Sequence, residues 1–202
     1  MIHIFEQGSD VDAPVLLLLH GTGGSEKDLL PIAQMIDPTA SVLGVRGSVS
    51  ENGMPRFFKR LREGVFDEED LVERTKELDE FLDEAAEKYG FDRKQIVAVG
   101  YSNGANIAGS LFFHYENALQ SAILLHPMVP RRNIDLPNLS GKQIFIGAGT
   151  NDPLIPQQET NDLDQLLRKA NADVTIQWES HGHQLSESEV LAAKKWYNTT
   201  IK

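Results

Sequence analysis

The chain has 202 residues, 41% of them hydrophobic and 24% charged, the profile of a globular protein long enough to bury a substantial core. Thirty acids against nineteen bases leave a net charge of −11, which argues against nucleic acid or an anionic membrane surface as partner, since both reward clustered Lys and Arg. There is no cysteine, which excludes a disulfide framework, a thiolate zinc site and a cysteine nucleophile, and is compatible with a reducing cytosol.

The first residues, MIHIFEQGSD, hold no basic stretch and no long apolar core, so no signal peptide is expected. The longest aliphatic run, Val15 to Leu19, is far below the ~20 residues that span a bilayer, so a cytoplasmic protein with no membrane span is expected. Met1 to Phe5 reads as a short edge strand. Val15–Leu19 is too uniformly apolar for a half-exposed strand and fits a parallel sheet covered on both faces. The glycine-rich loop His20-Gly21-Thr22-Gly23-Gly24-Ser25 follows. A helix is expected over Glu26–Ile36 with Ser25 as its cap, although Pro31 should kink it or delay its start. Ala40–Val45 reads as a strand, and residues 46–64, broken by Gly47, Gly53, Pro55 and Gly64, as an irregular surface excursion near the site.

Asp67–Tyr89 carries the clearest helical period, with Leu71, Thr75, Leu78, Leu82, Ala85 and Tyr89 on one face, Asp67 as cap and Gly90 as terminator. Its other face, rich in Glu and Asp, reads as solvated surface. Four apolar residues, Ile96–Val99, then run into Gly100-Tyr101-Ser102-Asn103-Gly104 and an apolar segment ending at Tyr115. Further strands are expected over Ala118–Leu125, Gln143–Gly147 and Asp173–Trp178. Helices are expected over Pro156–Asn171 and Ser186–Asn198, the last with Val190, Leu191, Ala193 and Trp196 inward. This alternation predicts one α/β domain, residues 1–202, with a mainly parallel sheet. No insertion is long enough for a large cap.

Strand, then G-x-S-x-G, then helix is the setting of a nucleophile elbow, in which glycines permit a sharp turn and the serine stands above the sheet at a helix N-terminus. Serine at its free pKa needs an imidazole to take its proton, and that imidazole needs a buried carboxylate to fix its tautomer. Ligands of open α/β sheets sit beyond the carboxyl ends of the strands. There the chain places the His20–Gly24 loop, Ser102, Asp152 and the histidines His181 and His183. The order Ser102, Asp152, His183 is that of an α/β-hydrolase. An oxyanion hole would use the backbone N–H groups of Asn103 and Thr22. Asp162 and Asp164 fall on a helix and read as solvated. His20 reads as a structural residue bonding loop carbonyls, and His126 as a loop residue after a strand, with a place in the pocket lining as its lesser alternative. Phe57, Phe58, Phe66 and Met128 read equally as pocket wall or core. A metal site is not expected: no carboxylate has ligand spacing with His181 and His183.

The segments LLLLHGTGG, GYSNGA, GTNDPLIP, Gly182-His183 and RFFKRLREGVFDEEDL (residues 56–71) resemble the phospholipase/carboxylesterase branch of the α/β-hydrolases over nearly the whole chain. Within it, the chain is most similar to small bacterial carboxylesterases, including hydroquinone-associated ones, and beyond them to acyl-protein thioesterases. The resemblance implies a serine esterase with no cofactor and a small-molecule ester as substrate, and it favours His183 over His181. Oligomeric state is left open, a homodimer included. A thioesterase or lysophospholipase is the alternative enzyme, and a binding protein on an inactive hydrolase scaffold the alternative class. Serine at position 102 disfavours a dehalogenase, which needs Asp there, and a dienelactone hydrolase, which normally has Cys.

Overall fold

The computed structural model describes residues 1–202. In chain order its elements are β1 (His3–Glu6), β2 (Val15–Leu19), α1 (Leu30–Ile36), β3 (Val42–Val45), β4 (Val49–Glu51), β5 (Met54–Arg56), β6 (Arg60–Arg62) and β7 (Val65–Phe66). There follow α2 (Glu68–Tyr89), β8 (Ile96–Tyr101), α3 (Asn103–His114), β9 (Ser121–Leu125), β10 (Gln143–Gly149), α4 (Gln157–Lys169), β11 (Asp173–Glu179) and α5 (Glu187–Thr200). Seven strands form the central sheet in the order β1-β3-β2-β8-β9-β10-β11. Only β1 runs antiparallel to its neighbour. No helix is long and apolar enough to cross a membrane.

The uniform apolarity of β2 has the cause inferred from sequence. Val15, Leu17 and Leu19 enter the core beneath α2, α3 and α4, while Leu16 and Leu18 enter the core beneath α1 and α5. With both faces covered, every residue of the strand is buried. The register aligns Leu19 with Gly100, Tyr101 with Leu125, and Leu125 with Gly147, so the carboxyl ends of β2, β8, β9 and β10 share one edge. The loops after β2, β8, β10 and β11 therefore converge.

Some expectations need correction. Helix α1 begins at Leu30 and not at Glu26, the delayed start expected of Pro31, which a helix tolerates only in its first turn. Residues before it form turns, and Ser25 Oγ donates to Asp28 Oδ1 (2.5 Å) instead of capping the helix. The 46–64 excursion is not irregular: it contains the hairpin β4–β5 and the first strand of β6–β7. On α5, Leu191 is half exposed, whereas Glu189 and Tyr197 join Val190, Ala193 and Trp196 on the buried face. The long helix α2 is as read: Asp67 accepts from the Asp70 N–H (3.2 Å), and Gly90 closes it in the left-handed conformation (φ 73°). Replacing this cap, Asp67→Ala, is expected to lower the unfolding free energy by about 1 kcal/mol in urea denaturation, without changing the slope.

Candidate active site

The strand-to-helix turn after β8 sets the geometry. Ser102 sits between Tyr101, the last residue of β8, and Asn103, the first of α3, with φ 51° and ψ −111°. A non-glycine residue held at positive φ is strained and persists only where its surroundings enforce it. Two close approaches do so. A Cβ on Gly100 would stand 2.7 Å from the Gly104 carbonyl oxygen, and one on Gly104 would overlap the Leu19 carbonyl. Glycine at both positions lets α3 start directly against the end of β2. The Ser102 N–H donates to the Leu125 carbonyl (2.8 Å), fixing the turn to β9.

Ser102, His183 and Asp152 lie in one line of hydrogen bonds. Ser102 Oγ is 2.9 Å from His183 Nε2, and His183 Nδ1 is 2.7 Å from Asp152 Oδ2. Asp152 is almost wholly enclosed and accepts through Oδ1 from the N–H groups of Leu154 (2.8 Å) and Ile155 (3.1 Å). Burial alone would raise its pKa. The His183 hydrogen bond, then the Leu154 N–H and His126, outweigh burial and hold the carboxyl below the usual range. The loop bearing His183 is pinned by Tyr101, whose hydroxyl donates to the His183 carbonyl (2.7 Å), and by Asn151, which accepts from the Gly182 N–H (2.9 Å). His181 is exposed and outside this line. Asp162 and Asp164 pair with Arg132 and Arg168, away from the serine.

Thr22 and Asn103 line the same cleft. Thr22 N–H has no acceptor within the chain, and Asn103, as first residue of α3, has none within the helix. His20 holds the base of the Thr22 loop: its Nδ1–H donates to the Gly21 carbonyl (2.6 Å), and its Nε2 accepts from the Gly47 N–H (3.0 Å). Burial lowers its pKa, in keeping with a neutral ring that donates on one side and accepts on the other.

The cleft has a volume of about 370 Å³ and opens onto Ser102. Phe66, Met128, Leu154 and Ile155 supply apolar wall, while Phe57 and Phe58 are core. Arg56 and Arg60 also reach it. Sequence reasoning passed over three groups here. Buried Arg56 donates to Thr22 Oγ1 (2.6 Å) and to the Phe58 carbonyl (3.2 Å), steadying the Thr22 loop. The side-chain oxygen of Asn103 accepts from the Phe57 N–H (2.7 Å), tying the hairpin segment to the elbow. His126, read as a loop residue, is buried with its Nδ1 3.0 Å from Asp152 Oδ2. His126, Asp152 and His183 are the group whose ligating atoms converge, within 4.8 Å, and in this arrangement both imidazole Nδ1 atoms are hydrogen-bonded to Asp152 Oδ2.

A strand order with β8 at the centre, a serine elbow after it and partners beyond β10 and β11 define an α/β-hydrolase fold without a cap domain. The Dienelactone hydrolase family model matches residues 55–199, and the chain belongs to that family. It is 65% identical to a carboxylesterase of Bacillus cereus with a solved structure, which superposes with a TM-score of 0.97 over 98% of this chain and 93% of that one. It is 57% identical over the full length of both chains to MhqD of Bacillus subtilis (strain 168), provisionally named a hydrolase. Acyl-protein thioesterase 1 of Cryptococcus neoformans is 25% identical over 99% of this chain and 98% of its own. Carboxylesterase and thioesterase relatives accord with the branch named from the sequence. The reaction that gives the family its title is not thereby carried to this chain, whose elbow holds serine.

The close approach of Gly104 to β2 predicts that Gly104→Ala loses about 3 kcal/mol or more of stability, because backbone and not a flexible side chain must yield. Tyr101→Phe, which removes only the bond to the His183 carbonyl, is expected to cost about 1 kcal/mol. Urea denaturation of the two variants checks the contrast.

Proposed function

We propose that the chain is a serine carboxylesterase that hydrolyses small carboxylic esters through an acyl-enzyme on Ser102. The single observation that carries this reading is the continuous line Ser102 Oγ–His183 Nε2–His183 Nδ1–Asp152 Oδ2, at 2.9 and 2.7 Å, opening into the cleft. A carboxylate only accepts, so Asp152 holds the His183 Nδ1 as the donor and leaves Nε2 free to accept the Ser102 hydroxyl proton. The serine oxygen then attacks the ester carbonyl, and His183 passes the proton to the departing alkoxide. Water, deprotonated by the same nitrogen, releases the acid and restores the serine. The N–H groups of Thr22 and Asn103 receive the oxyanion, which forms at the positive end of α3.

Carboxylesterase among the names of close relatives supports the reaction class. A cleft of about 370 Å³, near the lower end for small-molecule sites and without a cap over it, favours short or exposed acyl groups. The thioesterase relative keeps a second reading in view, since the same geometry attacks a thioester. Comparing p-nitrophenyl esters of increasing chain length with matched thioesters separates the two: the esterase reading predicts highest kcat/KM on short oxyesters.

Purified protein should hydrolyse p-nitrophenyl acetate and butyrate. Ser102→Ala should lose at least about 10³-fold in kcat, and Asp152→Asn about 10⁴-fold by leaving His183 in the wrong tautomer. Equal rates for wild type and Ser102→Ala would overturn the reading.

A further inference from the structure

A second imidazole stands behind the proposed triad. His126 follows β9 at φ 53°, a conformation fixed by its own N–H, which donates to the Gly147 carbonyl of β10 (2.8 Å). The ring is almost wholly buried. Its Nδ1 lies 3.0 Å from Asp152 Oδ2, the oxygen that also meets His183 Nδ1. Because that carboxylate only accepts, His126 Nδ1 carries a hydrogen. Its other nitrogen, Nε2, stands 3.4 Å from Oε1 of Glu189, a fully buried residue; the two lie within ion-pair distance but form no hydrogen bond, and neither Nε2 nor either Glu189 carboxyl oxygen has a hydrogen-bond partner in the chain.

The position of Glu189 is unusual for its sequence. Ser186-Glu187-Ser188-Glu189 has the spacing of a capping box, and Ser186 Oγ does accept from the Glu189 N–H (3.1 Å). The Glu189 side chain, instead of returning to the helix start, turns inward beside Gly147, where a Cβ would collide with Oε1. An unpaired buried carboxylate is strongly unfavourable, and His126 is the basic side chain within ion-pair distance of it. The titratable groups facing His126 are Asp152, Glu189, His183 with ring centroids 5.1 Å apart, and Tyr101, edge-on at 6.1 Å. Burial opposes protonation of His126, but the carboxylates on either side of it, Glu189 first and then Asp152, outweigh burial and raise its pKa.

We propose that His126 is a positioning residue: an imidazolium clamped between Asp152 and Glu189 that fixes Asp152 for His183 and offsets the carboxylate charge beside it. This rests on the Ser102–His183–Asp152 reading above. A positive charge about 5 Å from the His183 ring opposes a second positive charge there.

The test pairs imidazole ¹⁵N NMR with kinetics. At pH 7 wild-type His126 is expected to show the imidazolium pattern and to titrate above the ordinary histidine value of about 6.5. In Glu189→Gln the His126 titration should fall by about one unit or more. For kinetics the variant is His126→Asn, since asparagine tolerates positive φ and its amide nitrogen takes the place of Nδ1. It should keep KM within about twofold while the acid limb of kcat/KM moves up by about one pH unit, the charge having gone. A purely structural role would not move that limb. His126 neutral at pH 7, an unchanged titration in Glu189→Gln, or an unmoved acid limb in folded His126→Asn would each overturn the proposal. The NMR arm needs no turnover, so it stands or falls separately from the loss of hydrolysis expected in Ser102→Ala.

Discussion

The structure depends on the contact between the first turn of α3 and the end of β2. Ser102 can stand above the sheet only if the backbone reverses within one residue, and that reversal brings Gly104 against the Leu19 carbonyl. Any side chain there would push α3 away from β2, moving both the serine and the N–H of Asn103. Packing around the turn holds the strained φ of 51° in place: α3 is buried along nearly its whole length, and its neighbours β2, β8 and β9 are buried, largely aliphatic strands, with only Tyr101 at the end of β8 partly open. A stiff, apolar scaffold thus maintains a local conformation that the serine would not adopt alone.

Charge is handled by a similar concentration of constraints. Asp152 receives two backbone N–H groups on one oxygen and two imidazoles on the other. Four donors on a buried carboxylate keep it ionised and leave it little freedom to rotate. The second imidazole and Glu189 extend this cluster beneath the sheet edge to the start of α5. Hydrogen bonds from Tyr101, Asn103 and Arg56 in turn fix the loops around it. The result is a cleft whose polar groups are held by partners instead of by solvent.

Much of this was legible in the sequence because strong local rules act there. The alternation of fully apolar strands with amphipathic helices follows from covering a sheet on both faces, and Asp67 and Gly90 mark the ends of α2 by their capping chemistry. The placement of Ser102, Asp152 and the pair His181 and His183 beyond strand ends follows from topology, whereas the choice of His183 over its neighbour came from the family resemblance. The clamp was not legible in the same way. His126 looks like any residue after a strand, and its partner Glu189 is 63 positions away, in a helix start where an acid has an ordinary capping explanation. The one available signal was positional: Glu189 shares a helical face with Ala193 and Trp196, where a charge should not be. The two hairpins of residues 49–66 were missed because their strands are two or three residues long, too short to show a period.

The central claim is that Ser102 is the nucleophile. Mass spectrometry of the intact protein after treatment with a fluorophosphonate, followed by peptide mapping, tests it most directly. One covalent adduct per chain is expected, on the peptide containing Ser102, and none in Ser102→Ala or after unfolding. Absence of an adduct on the folded protein, or an adduct at another residue, would contradict it.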